Sequence, residues 1–136
     1  MDLTSFKDQH VQILKGINQL RQLARQGIAE NAAAIATGVV ELSSIIKVHL
    51  AVEDRLLYPS VQRLDNPALA AMGQAYQTEM KDIAAAYAQF SRRWNTPTQI
   101  QRSPEGFRAD ANTVLKTIHA RMQRENTHFY PAIETA

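Results

Sequence analysis

Apolar side chains recur along this chain at alternating steps of three and four residues in four separate stretches, the spacing that lays one stripe along a helix face. The first stretch, about Ser5 to Gln26, carries Phe6, His10, Ile13, Ile17, Leu20 and Ala24 on one line, with Gly27 as its stop. The second, about Asn31 to Leu57, carries Ile35, Leu42, Ile45, His49, Glu53 and Leu56 and is expected to end before Pro59. Asn66-Pro67 reads as a cap with proline in the first turn, opening a third helix with Leu69, Met72, Tyr76, Met80, Ile83, Tyr87, Phe90 and Trp94 on its inner line. After a Thr96-Pro97-Thr98 loop, Ser103-Pro104 repeats the signal. The fourth line runs Phe107, Ala111, Val114, Ile118, Arg121, Glu125 and His128, and leaves His119 toward solvent.

Short connections between long amphipathic helices favour antiparallel neighbours, so the expected fold is all-α, an up-down-up-down four-helix bundle spanning 1–136 as a single domain. An internal repeat supports this. His49-Leu50-Ala51-Val52-Glu53-Asp54-Arg55-Leu56-Leu57-Tyr58-Pro59 returns in altered form as Arg121-Met122-Gln123-Arg124-Glu125-Asn126-Thr127-His128-Phe129-Tyr130-Pro131. Two helix pairs that each end in Tyr-Pro imply a pseudo-twofold bundle, in which His10 answers Met80, His49 answers Arg121 and Glu53 answers Glu125.

Composition narrows the chemistry. With no cysteine there is no thiolate ligand or iron–sulfur cluster, so any metal must rely on nitrogen, oxygen or thioether sulfur. A net charge of +2 spread along the chain gives no basic stripe, and nucleic acid is not an expected partner. No apolar run approaches the roughly 20 residues of a membrane span, and the first residues lack the pattern of a secretory signal. A cytoplasmic protein free of the membrane is the expectation.

His49 and Glu53 lie four residues apart on one helical face, within reach of a common ion. In the second copy Arg121 stands in place of the histidine. Buried carboxylates are costly without a cation, so Glu53 and Glu125 each require a metal or a basic side chain. One reading places a metal on His10, His49, Glu53 and Glu125, with Tyr76, one turn from Met80, or His128, three residues after Glu125, as further ligands. The other has Arg121 bridge Glu53 and Glu125 in a metal-free salt-bridge network, leaving a regulatory or interaction module.

Over nearly its whole length the chain resembles the hemerythrin-like, or HHE cation-binding, family: an inward histidine on helix one, HxxxE before an LYP-type end on helix two, and a second glutamate before an aromatic-Pro end on helix four. The resemblance implies metal ligation by His10, His49, Glu53 and Glu125. It also implies non-haem iron, commonly a di-iron pair, that binds or senses oxygen or a related diatomic ligand. Two positions depart from the family: Met80 stands where a helix-three histidine is expected and Arg121 where the helix-four histidine belongs. Two histidines and two carboxylates saturate one ion more readily than two, which favours a mononuclear or asymmetric site.

Other function classes fit less well. In a histidine phosphotransfer bundle the reactive histidine is exposed and nearer its Lys-Gly pair than His10 is to Lys15-Gly16. A ferritin-like oxidase needs paired ExxH helices, and only Glu125-Asn126-Thr127-His128 matches. No nucleophile, base and orienting group occur together, so hydrolytic or transferase catalysis is not expected. A protein partner is compatible with either reading of the site.

Overall fold

A computed structural model describes residues 1–136 and contains helices but no strand. Helix α1 spans Thr4–Gln26, α2 spans Ala32–Arg63, α3 spans Pro67–Arg93, a short α4 spans Pro97–Arg102, and α5 covers 104–134. The four long helices neighbour one another in ring order: α1 on α2, α2 on α3, α3 on α5, and α5 back on α1. Chain punctuation sets the boundaries. Gly27, with φ of 126°, turns the chain out of α1, a conformation that side chains with a Cβ rarely adopt. Asn66 caps α3 by accepting the Leu69 N–H at 3.0 Å, and Pro67 follows in its first turn. The expected Thr96-Pro97-Thr98 loop instead starts α4, because Thr96 caps it and Ile100 buries against the core.

The two Tyr-Pro segments do not end their helices. Both α2 and α5 pass through a π turn, Glu53–Leu57 and Glu125–Phe129, and then continue as Tyr58–Arg63 and Tyr130–Glu134. In each turn the amide of the tyrosine bonds to the carbonyl of the glutamate five residues back. The wider ring frees carbonyls that a following proline could neither satisfy nor clear in an α-helix, so the helix runs on through Pro59 and Pro131.

The extra residue also rotates the stripe. Leu56 and His128 were expected inward at α spacing but are exposed, while Leu57, Phe129, Tyr58 and Tyr130 point into the bundle. Ile46 takes the inward place expected of Ile45, and Met72 lies at the surface.

Helix α2 is long and apolar enough by composition to cross a membrane, contrary to the expectation that no segment would be. Its apolar residues are not confined to the stripe: Val40 and Val48 are exposed on the outer face. Its inner line, Ile35, Val39, Leu42 and Ile46, packs in the bundle core.

That core divides in two. A larger apolar cluster from Ile13 to Met122 fills the loop end of the bundle, and a smaller one of Leu3, Phe6, Leu57, Tyr58, Val61, Leu69, Phe129, Tyr130 and Ile133 fills the other. Within the larger, the Tyr87 hydroxyl donates to the Val39 carbonyl at 2.7 Å, and the Trp94 indole donates to Asp110 at 2.8 Å. Between the two clusters lies a polar layer.

Candidate metal centre

Apart from Ser43, every buried polar or charged residue belongs to that layer: His10, His49, Glu53, Arg121 and Glu125. Three of the long helices supply it where their apolar stripes are interrupted. His10 sits between Phe6 and Ile13 on α1, His49 and Glu53 between Ile46 and Leu57 on α2, and Arg121 and Glu125 between Ile118 and Phe129 on α5. Ligand atoms of His10, His49, Glu53 and Glu125 all lie within 4.8 Å of one another.

The outer nitrogens of both rings are tied down. His10 Nδ1 lies 2.8 Å from Asn126 Oδ1, and His49 Nδ1 lies 2.6 Å from Gln9 Oε1. An amide oxygen only accepts, so each Nδ1 carries the hydrogen and each Nε2 turns its lone pair into the layer. There the two Nε2 atoms are 3.2 Å apart. Glu125 Oε1 is 3.0 Å from His10 Nε2 and 3.6 Å from His49 Nε2, and Glu53 Oε1 is 3.2 Å from His49 Nε2.

Acceptors packed this closely repel unless a cation lies among them, whether a proton or a metal ion. The acid–base properties show the same demand. Burial disfavours a charged His49, but Glu125 and Glu53 outweigh it and raise the ring pKa to about 9. Burial pushes the Glu53 carboxyl upward. Burial acts on Glu125 too, but contacts with His10 and His49 and the charge of Arg121 hold it far below the usual carboxylate range. Glu53 Oε1 and Glu125 Oε2 have no hydrogen-bond partner. Two convergent imidazole nitrogens and two carboxylates with orphaned oxygens therefore fit a divalent or trivalent cation that takes nitrogen and oxygen ligands.

Arg121 enters from the other half of the repeat. It does not form the expected Glu53–Arg121–Glu125 bridge. Its Nε faces Glu125 Oε2 at 3.4 Å, a charge contact too poorly aligned to satisfy either atom as a hydrogen bond. The fork points away from Glu53, with Nη1 donating to Glu79 Oε1 at 3.3 Å and Nη2 to the Tyr58 hydroxyl at 3.2 Å. The guanidinium also lies 4.6 Å from the centre of the Tyr76 ring. Glu79 bonds Arg124 as well, so it caps the charge from the half-exposed side. Glu53 pairs with His49 and Tyr130 instead. The length of an arginine side chain lets its fork reach past the nearest carboxylate to a better-shaped set of acceptors.

The remaining candidates lie outside the cluster. His128 is exposed because the π turn rotates it off the inner face. Tyr76 is half-buried and stacks on Phe129 with ring centres 4.4 Å apart. Met80 is fully buried and packs within the larger apolar cluster. His119, expected to face solvent, is half-buried, with Nδ1 3.4 Å from Arg21.

Two residues absent from the expected set do reach the layer. The Tyr130 hydroxyl is 3.0 Å from His10 Nε2 and 3.3 Å from Glu53 Oε2, and Tyr58 meets Arg121. Burial pushes both hydroxyls far above the usual tyrosine range, and the two glutamates add to it. Their signal was present in the sequence as a glutamate-to-tyrosine spacing of five residues in both copies of the repeat. That spacing shares a face in a π turn rather than an α turn.

The family model for the hemerythrin HHE cation binding domain matches residues 1–133. The chain belongs to the hemerythrin HHE cation-binding family. No curated protein and no solved structure matches it. An HHE domain binds cations, and in this one a buried cluster of two histidines and two glutamates could hold a metal. The helical bundle and the family expected from the sequence are both found.

Proposed function

We propose that this HHE domain binds a single iron ion on His10, His49, Glu53 and Glu125 and uses it to bind or sense oxygen or a related diatomic ligand. The observation that carries the reading is the pair of Nε2 lone pairs aimed between two buried carboxylates, with each ring fixed from behind by an amide oxygen. Iron suits such a set: imidazole and carboxylate are both good ligands for it, and the chain has no cysteine to offer a soft thiolate. One ion rather than two follows from Arg121. Its fixed positive charge lies where the second half of the repeat would supply a histidine, and like charges in a buried layer repel strongly.

When bound, the metal supplies a Lewis-acidic and redox-active centre. The chain's own residues hold it in place, and the apolar clusters on either side keep bulk water from the layer. Anaerobic loading with ferrous iron, followed by nitric oxide as a diatomic probe, tests this. The reading expects a ferrous–nitrosyl electron paramagnetic resonance signal in proportion to bound iron. Bound iron that gives no such signal would limit the protein to metal storage or structure.

A second reading is favoured by the buried Arg121–Glu125 pair and its extension to Glu79: a metal-free bundle serving as a regulatory or interaction module. Metal content after loading separates the two.

A further inference from the structure

The Tyr130 hydroxyl stands about as close to two of the proposed ligand residues as those residues stand to one another. Nitrogen and oxygen ligands bound at about 2.1 Å and at right angles to one another lie roughly 3.0 Å apart, the distance multiplied by √2. All donor atoms of His10, His49, Glu53 and Glu125 lie within 4.8 Å of one another, and the His10–His49, His10–Glu125, His49–Glu53 and His49–Glu125 separations run from 3.0 to 3.6 Å. The Tyr130 hydroxyl, at 3.0 Å from His10 Nε2 and 3.3 Å from Glu53 Oε2, falls in the same range. It is therefore at the separation of a neighbouring ligand. Its position is also fixed: the residue is fully buried, its ring stacks on the His10 ring with centres 5.0 Å apart and planes 20° apart, and the π turn sets its direction.

The lone pair of His10 Nε2 cannot serve a metal and accept the Tyr130 proton together. Because His10 Nδ1 carries its hydrogen toward Asn126, the ring has no second acceptor to offer. The single hydroxyl hydrogen donates to Glu53 Oε2, so a metal on His10 Nε2 would leave that bond in place and set a cation beside the hydroxyl oxygen.

We propose that Tyr130 is a fifth ligand, as phenolate, and that it biases the centre toward ferric iron. The inference rests on the iron reading above. On ligation the O–H bond breaks, its electron pair stays on oxygen and forms the oxygen–iron bond, and the proton leaves to solvent. Glu53, Glu125 and Tyr130 then supply three negative charges against a trivalent ion, while Arg121 has Glu79 as a further counter-charge. Hard anionic oxygen ligands favour the higher oxidation state. Tyr58, the counterpart of Tyr130 in the repeat, accepts from Arg121 instead and is the internal control.

The test is to load wild type, Tyr130→Phe and Tyr58→Phe with ferrous iron anaerobically, oxidise with ferricyanide as the one-electron acceptor, and record iron content, visible absorption and resonance Raman spectra. The expected result is a phenolate-to-iron absorption band in wild type, with phenolate ring modes enhanced on excitation into it. Per iron bound, the band should be lost in Tyr130→Phe and kept in Tyr58→Phe. A band that survives in Tyr130→Phe, or iron-loaded wild type with no phenolate modes, overturns the assignment and leaves the iron site standing. Failure of wild type to take up iron overturns the site and the fifth ligand together. If Tyr130→Phe cannot be loaded, the wild-type Raman spectrum and its persistence in Tyr58→Phe decide the question.

Discussion

Arg121 Nε faces Glu125 Oε2 across 3.4 Å in a layer where neither side chain touches solvent. The same glutamate turns its other oxygen to His10 and His49. Glu125 is thus shared between a permanent cation from one half of the repeat and an imidazole pair from the other. The relation extends outward: Gln9 supports His49 on one side as Glu79 supports Arg121 on the other, from matching positions next to His10 and Met80.

Replacing the permanent cation should change both stability and metal content. Arg121→Ala leaves Glu125 without its charge partner, and breaking a buried pair in this way costs about 3 kcal/mol. Chemical denaturation of the metal-free protein should show that loss. Arg121→His, most clearly combined with Met80→His, should raise bound metal from about one toward two ions per chain, because it completes a second imidazole set. Unchanged stoichiometry in the double variant would show that Arg121 does not limit the site.

The support behind the rings should tune affinity more than stability. Gln9 and Asn126 are half-buried and hold the rings through their outer nitrogens. Gln9→Ala and Asn126→Ala are each expected to weaken metal binding by about 10- to 100-fold, as losses of outer-sphere partners commonly do. Competition titration against a chelator measures this. Equal affinities in wild type and both variants would mean that ring orientation is set by packing alone.

Much of this was legible in the sequence, and the missing parts have identifiable causes. His10, His49, Glu53 and Glu125 stand out because each interrupts an apolar stripe at its own spacing, and a polar residue on an inner line has few places to go. The π turns are concealed by the same periodicity. Extending the stripe at α spacing selects Leu56 and His128, whereas one extra residue per turn brings Tyr58 and Tyr130 inward. The direction of the Arg121 fork was not legible either. It is decided by Glu79 and Tyr58, which reach the arginine from two other helices.

The pH dependence of the metal-free protein follows from His49 on the alkaline side. Its folded pKa, about 9, lies above the ordinary value of 6.5, so the stability gained from its charge is complete below that ordinary value and is lost as pH rises through about 9. Glu53, raised by burial, acts in the same direction, its contribution being lost as pH rises above the ordinary carboxylate value. Glu125 acts in the opposite sense: its depressed pKa gives stability above the ordinary carboxylate range that disappears as pH falls through its folded value. Urea midpoints measured from acid to pH 10 should therefore decline at both ends. Metal-loaded protein should lack the alkaline decline, since the ion replaces the His49 proton. An alkaline decline of equal size in both forms would contradict this.

Metal stoichiometry is the most direct check on the centre itself. Wild type and His49→Ala, stripped with a chelator, reloaded anaerobically with ferrous iron and freed of excess, are to be assayed for iron per chain. A centre built on His10, His49, Glu53 and Glu125 predicts close to one iron per wild-type chain and a large loss in His49→Ala. Wild type that retains no iron, or His49→Ala that retains as much as wild type, would contradict it.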